Sequence, residues 1–222
     1  MVNFSTSEEN YIKSIFHLQV EGGTVTTNAL AQELQTRPAS VTDMMKKLKT
    51  KKLVHYQPYQ GFKLSSDGKK IAIGIIRRHR LWEFFLSEKL KFSWDEVHEV
   101  AEDLEHISNK KLIDKLDEYL EYPKFDPHGD PIPDSAGKMT VSQLTNLSKM
   151  PLNKIAEVCN VGNQSPEILD LLRHNNIRIG TKLEVKMRFD FDSSLEIKIR
   201  QQPAPVTISE QLAKNIFVKY GP

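Results

Sequence analysis

Two short stretches of the chain concentrate side chains able to hold a divalent cation. His79 and Glu83 stand four residues apart, and His98, Glu102, Glu105 and His106 follow at intervals of four, three and one. An α-helix completes a turn in about 3.6 residues, so each set falls on one helical face. Two such helices facing each other would offer three imidazoles and three carboxylates to one space, which is how helical bundles build metal sites. Mixed nitrogen and oxygen donors suit manganese, iron, cobalt, nickel or zinc, and affinity alone does not choose among them. A lone His or Glu on an amphipathic helix is more often structural or solvated. Spacing by itself therefore leaves both a metal site and an ordinary polar face open.

Hydrolytic chemistry uses the same residue types. The sequence holds no HExxH, no GxSxG and no glycine-rich phosphate loop, so a catalytic role is the weaker class and the chain is not expected to be an enzyme. The single cysteine, Cys159, cannot close an intrachain disulfide. It has no local nucleophile signature and reads as a small buried residue.

These residues must be positioned by helices. Apolar residues recur at near-helical spacing from Ser7 to Val20, where Ser7, Glu8 and Glu9 form a plausible capped start. A second helix fits Thr27 to Leu34. A third runs from Pro38 to about Lys51, with Val41, Met44, Met45 and Leu48 spaced as one apolar stripe. Residues 53–56 and 62–64 read as two strands around Pro58-Tyr59-Gln60-Gly61. Three helices and a hairpin make a winged helix, and its third helix would enter a DNA major groove. The candidate DNA contacts are Arg37, Pro38, Ala39, Ser40, Thr42, Asp43, Lys46 and Lys47, with Thr27 on the preceding helix and Tyr59 in the hairpin turn.

A long helix fits Asp67 to Glu88, and two more fit Trp94 to Ser108 and Lys110 to Leu120. This middle block displays more apolar surface than it can bury, which implies a dimer interface. Pro123 to Gly137 reads as an extended connection. Beyond it the pattern turns to short β segments at Met139 to Leu144, Leu183 to Phe189, Leu195 to Ile199 and Ile216 to Val218, with a helix at Pro166 to His174. A small β-barrel is expected there. The fold class is thus mainly α with a β-rich C-terminal domain, and the boundaries fall at 1–74, 75–137 and 138–222.

Charge is distributed to match. Met44 to Trp82 holds eleven Lys or Arg and one acid, whereas Asp95 to Asp134 holds thirteen acids and four Lys. The first region suits phosphate and the second suits cations. No apolar run approaches the roughly 18 residues of a membrane span, and the first residues lack the parts of a signal peptide. The expected setting is the cytoplasm, with no membrane partner.

The order winged helix, RRHRLWEFFL (Arg77 to Leu86), VHEVAEDLEHISN (Val97 to Asn109), GDPIP (Gly129 to Pro133) and β-rich tail resembles the diphtheria-toxin-repressor family of iron- and manganese-dependent regulators. The resemblance covers essentially the whole chain and is closest to the three-domain, manganese-responsive branch. It implies an SH3-like C-terminal domain and a homodimer that binds palindromic double-stranded operators near metal-uptake genes when Mn(II) is present, with Fe(II) as the alternative metal. It also implies a primary site at Asn10, Glu102, Glu105 and His106, and an ancillary site at His79, Glu83 and His98. Gln164 and Glu167 would be nearby oxygen donors, and Asp126 and His128 stand where that branch carries a Cys-Pro-His-Gly segment. Two positions depart from the family pattern. Asn10 replaces the methionine of iron-type and the aspartate of manganese-type members, and Lys13 replaces a manganese-type glutamate, which disfavours a paired-metal arrangement. A metal-buffering protein without specific DNA binding is the competing reading from another class.

Overall fold

Helix α1 (Thr6–Val20) begins with a reciprocal cap one turn long. The Glu8 backbone N–H donates to Ser5 Oγ at 3.3 Å, and the Ser5 N–H donates to Glu8 Oε2 at 2.9 Å. The cap is therefore Ser5 rather than the expected Ser7. The structure, a computed structural model, describes residues 4–20, 22, 24–57, 61–200 and 202–221. Its contacts divide the chain into two units, residues 1–82, 102–119 and 133–139 in one and residues 83–101, 120–132 and 140–222 in the other.

In the first unit α1 is followed by α2 (Thr27–Glu33) and α3 (Pro38–Thr50). Thr26 Oγ1 caps α2 by accepting from the Ala29 N–H at 3.1 Å. Pro38 opens α3 in the first turn, where its missing donor costs nothing. Ile12 and Ile15 of α1, Leu30 of α2, and Val41, Met45 and Leu48 of α3 share one core, as the apolar stripes predict. Strands β1 (Val54–Gln57) and β2 (Gly61–Leu64) pair antiparallel, Val54 with Leu64 and Gln57 with Gly61. Gly61 has φ +69°, and a Cβ there would lie 2.3 Å from the Val25 carbonyl oxygen, so the wing packs where only glycine fits. This is the winged helix-turn-helix expected from the sequence.

Helix α4 (Ser66–Glu88) continues from β2, and α5 (Val97–Leu104) and α6 (Lys110–Tyr119) follow. Helix α5 is shorter than the predicted 94–108. The Arg78 guanidinium donates through Nε to the Glu105 carbonyl, taking an acceptor that a longer helix would use internally, and the chain turns with the Ile107 N–H on the Leu104 carbonyl at 3.1 Å.

The second unit holds a six-stranded antiparallel sheet in the order β3-β8-β4-β5-β6-β7, the β-rich SH3-like region expected for the C-terminus. The strands are β3 (Thr145–Asn146), β4 (Ile155–Val161), β5 (Lys182–Arg188), β6 (Leu195–Ile199), β7 (Val206–Ile208) and β8 (Ile216–Lys219). Helices α7 (Pro166–His174) and α8 (Glu210–Lys214) complete it, and Val158, Val161, Leu172, Val185, Ile197, Leu212 and Val218 form its core. The strand predicted at Met139 to Leu144 is irregular instead. Val141 is 90% exposed, so nothing there rewards pairing. No described helix is long and apolar enough to cross a membrane.

Candidate metal centre and nucleic-acid interface

Within the first unit, α1, the middle of α4 and the turn after α5 bring charged side chains together. Glu105 is 0% exposed. Its Oε2 lies 2.7 Å from His79 Nδ1, and its Oε1 lies 2.7 Å from Lys13 Nζ and 3.7 Å from His106 Nε2. Lys13 Nζ also reaches Glu102 Oε1 at 2.6 Å. His79, Glu102 and Glu105 each place one ligand atom within 4.8 Å of the others. Burial pushes the Glu105 carboxyl up, but the His79 bond and the charges of Lys13 and His79 outweigh it and hold the group below its ordinary range. An ionised carboxylate in a buried setting is what a divalent cation requires.

The second rank of this cluster was not read as functional from the sequence. Glu9 is buried and accepts from Arg78 Nη2 at 2.9 Å, and His106 Nδ1 lies 2.6 Å from its other oxygen. A carboxylate on one ring nitrogen fixes an imidazole and leaves the other to face a ligand, a common arrangement behind metal-binding histidines. The adjacent acids Glu8 and Glu9 looked like first-turn residues favoured by the helix dipole. Their burial, which the sequence does not reveal, gives them partners instead.

The Asn10 side-chain oxygen is buried and accepts no hydrogen bond. Leaving such an acceptor dry costs roughly 1–3 kcal/mol, a penalty that coordination of a cation would remove. The residue types at Asn10, Glu102, Glu105 and His106 carry oxygen and nitrogen donors without sulfur, which suit Mn(II) or Fe(II).

In the second unit Glu83 is buried, with His98 Nδ1 at 3.2 Å and His128 Nε2 at 3.8 Å from its Oε1. His128 is fully buried and stacks on Trp94, ring centroids 5.5 Å apart and planes 23° apart. Asp126 Oδ1 accepts from the His128 and Asp130 backbone N–H groups, both at 2.9 Å, which folds the segment into a tight turn. The turn docks on β4: the Val161 N–H donates to the His128 carbonyl at 3.1 Å, and Asn160 Nδ2 donates to Asp130 Oδ1 at 2.8 Å. Cys159 sits at the bulge in β4 and is half-buried, not the core residue expected. Gln164 donates to Asp130 at 3.0 Å and so reaches this turn, whereas Glu167 stays at the exposed start of α7 with its own N–H and Ser165 as partners.

The expected DNA contacts gather on α3. Arg37, Pro38, Ala39, Ser40, Thr42, Asp43, Lys46 and Lys47 are all exposed, and Thr27 is half-buried at the start of α2. Tyr59 lies outside the described residues. Lys46 pairs with Asp43 at 3.1 Å, and the Thr42 hydroxyl donates to the Pro38 carbonyl. Behind this face Glu8, 2% exposed, pairs with Lys51 at 2.5 Å and Lys47 at 3.2 Å, tying α1 to the C-terminal turn of α3. Burial raises the Glu8 carboxyl, but the bonds from Lys51, Ser5 and Lys47 prevail and bring it to about 2. Its folded value lies below the ordinary 4.5, so the stability it contributes is complete above about pH 4.5 and drains away as the pH falls toward 2. Glu8→Gln is expected to cost roughly 1–3 kcal/mol near neutral pH. The gap to wild type should close in acid. Urea unfolding across pH checks this, and a constant gap would exclude the ion pairs as its source.

Comparison with known proteins matches the regions that carry these residues. The family model described as iron dependent repressor, N-terminal DNA binding domain matches residues 3–62. The one described as iron dependent repressor, metal binding and dimerisation domain matches residues 65–134, and a FeoA domain matches residues 145–220. The HTH-type transcriptional regulator MntR of Oceanobacillus iheyensis is 35% identical over 120 residues, 54% of this chain and 81% of that protein. The diphtheria toxin repressor of Corynebacterium efficiens is 24% identical over 201 residues, 83% of this chain and 85% of that protein. A solved manganese-dependent transcriptional repressor in complex with manganese superposes with a TM-score of 0.86 at 29% identity, covering 96% of this chain and 99% of that one. The chain belongs to the iron-dependent repressor family of metal-dependent, DNA-binding transcriptional regulators.

Proposed function

We propose that this chain is a manganese-responsive repressor that binds palindromic operator DNA as a homodimer. In this reading residues 1–74 bind DNA, 75–137 bind metal and dimerise, and 138–222 form the SH3-like domain. Asn10, Glu102, Glu105 and His106 hold one ion, and Glu83, His98, Asp126 and His128 hold another. The observation that carries the proposal is the double engagement of α1. One side of this helix carries Asn10, whose buried oxygen accepts no hydrogen bond, beside Lys13 on the Glu102 and Glu105 carboxylates. The other carries Glu8, which grips the end of the recognition helix.

A bound divalent ion supplies a compact double charge that draws oxygen and nitrogen donors together. The chain does the rest. Glu105 stays ionised, Glu9 orients His106, and Glu8 passes any displacement of α1 to Lys47 and Lys51. A linkage of this kind is reciprocal, so DNA must tighten metal binding by the same factor that metal tightens DNA binding. Fe(II) is the alternative ligand, since the same donors accept it.

The test is binding of operator-type DNA by the metal-stripped chain, titrated anaerobically with Mn(II) and Fe(II) in parallel. Binding that appears only with metal and falls steeply with salt supports the proposal, because phosphate neutralisation releases counterions. Equal binding with and without metal would reduce both clusters to structural polar contacts. The ion effective at the lower free concentration identifies the metal.

A further inference from the structure

We infer that Trp94 is a positioning residue for the group formed by Glu83, His98 and His128: its indole face fixes the plane of the His128 imidazole and favours that ring when it carries a divalent ion. The inference rests on the metal-binding reading of this group and adds to it a residue that no ion touches.

Trp94 stands just before α5, in a segment the chain holds firmly. The Ser93 N–H donates to Glu96 Oε2 at 3.0 Å, and the Val97 N–H donates to the Ser93 carbonyl at 3.3 Å, which closes the first turn leading into the helix. From there the indole packs against the apolar core of the second unit, and Asp95 beside it meets Arg173 of α7 at 3.3 Å. The indole lies 23° from parallel to the His128 ring, with centroids 5.5 Å apart. His128 is completely buried, with Nε2 3.8 Å from Glu83 Oε1. His98, one helical turn beyond Trp94, places Nδ1 3.2 Å from the same oxygen. Glu83 and Trp94 thus bound one imidazole, the first at its nitrogen and the second across its plane.

Hydrogen bonding alone does not favour tryptophan here. Its Nε1–H is buried and finds no acceptor among the described residues, a penalty that phenylalanine or leucine would avoid. What the indole supplies is a broad, electron-rich face. An imidazole that gives its nitrogen lone pair to a divalent ion becomes electron-poor, and a tryptophan face attracts positive charge more strongly than any other side-chain ring. A neutral imidazole is held there by packing. The same contact gains strength when the group is filled, so Trp94 raises the affinity of the group without entering it.

Mn(II) titration calorimetry and urea unfolding of the metal-stripped full chain test this, comparing wild type with Trp94→Phe, Trp94→Leu and Glu83→Gln. The Glu83→Gln variant identifies which ion belongs to the group. If it binds as much Mn(II) as wild type with equal affinity, the metal reading of the group fails, and this inference with it. If it loses one ion, Trp94 is judged by that ion alone. Trp94→Leu should weaken its binding by about tenfold, the lower range for loss of an outer partner of a metal ligand. Trp94→Phe keeps an aromatic face and should stay within about threefold of wild type. Variants that lose stability in urea yet bind this ion as wild type does would reduce Trp94 to a packing residue and overturn the inference. Should Trp94→Leu not fold, fluorescence decides. Trp82 and Trp94 are the two tryptophans of the chain, so Trp82→Phe leaves the emission of Trp94 to be read by itself. Mn(II) should quench that emission in step with filling of the Glu83-dependent ion, and emission unchanged through that step overturns the inference.

Discussion

Replacing Glu105 with Gln should reduce Mn(II)-dependent operator binding at least about 100-fold, the upper range seen when even a supporting residue of a metal site is lost. Glu105 is fully buried and meets Lys13, His79 and His106 within 3.7 Å, so its charge is a counterion to its neighbours and, in the proposed site, a ligand. The amide keeps the size of the side chain and one oxygen, which separates the electrostatic effect from a cavity. Alanine would be less informative, because stranding buried partners of a broken ion pair costs about 3–5 kcal/mol of folding stability. Fluorescence anisotropy on operator-type DNA at fixed Mn(II) provides the measurement, with binding to unrelated DNA at low salt as the control. That control reports phosphate contacts by α3 and should not change. A variant that retains its metal response would remove Glu105 from the mechanism.

The second large effect is expected at Gly129. Its φ is +89°, and a Cβ would lie 1.8 Å from the Cys159 carbonyl oxygen and 2.8 Å from Asn160 Cα. Both obstacles are backbone, so no side-chain rotation relieves them. Gly129→Ala should therefore destabilise the second unit by about 3 kcal/mol or more, adding a forced clash to the strain of a left-handed alanine. The turn carrying Asp126 and His128 would have to leave β4. Mn(II) stoichiometry should drop by the ion assigned to Glu83, His98, Asp126 and His128, while the ion assigned to the Glu105 cluster remains. Full wild-type stoichiometry and stability would show that the turn can be reseated and that its close packing is incidental.

Much of this arrangement was legible because it repeats locally. The i, i+4 spacing of His98 with Glu102 needed only the helical period, although Glu105 and His106 lie in the turn after α5 instead of on its face, and the stripe Val41, Met45 and Leu48 placed α3 correctly. Features set by distant partners were not legible. Glu8 and Glu9 are buried because Lys51 and Arg78 arrive from other elements, and Lys13 meets its acid partners about ninety residues away. Strand β4 escaped notice because its alternation breaks at the bulge between Val158 and Asn160. Strand β7 is only three residues long, too short for a period to register. Conversely, Met139 to Leu144 had strand-like composition but no partner to pay its ordering entropy.

The seating of the Asp126–Asp130 turn on β4 has a consequence for how such a protein can change over generations. The decisive contacts from the strand are the Val161 N–H and the Cys159 carbonyl, groups that every residue except proline provides in full. Asn160 adds a side chain. Substitutions along this part of β4 can thus accumulate without displacing the Asp126 and His128 side chains it supports. Insertion or deletion of a single residue would instead shift the bulge against the turn. What a lineage must inherit here is a spacing of backbone groups, with glycine at one end, more than any particular set of side chains.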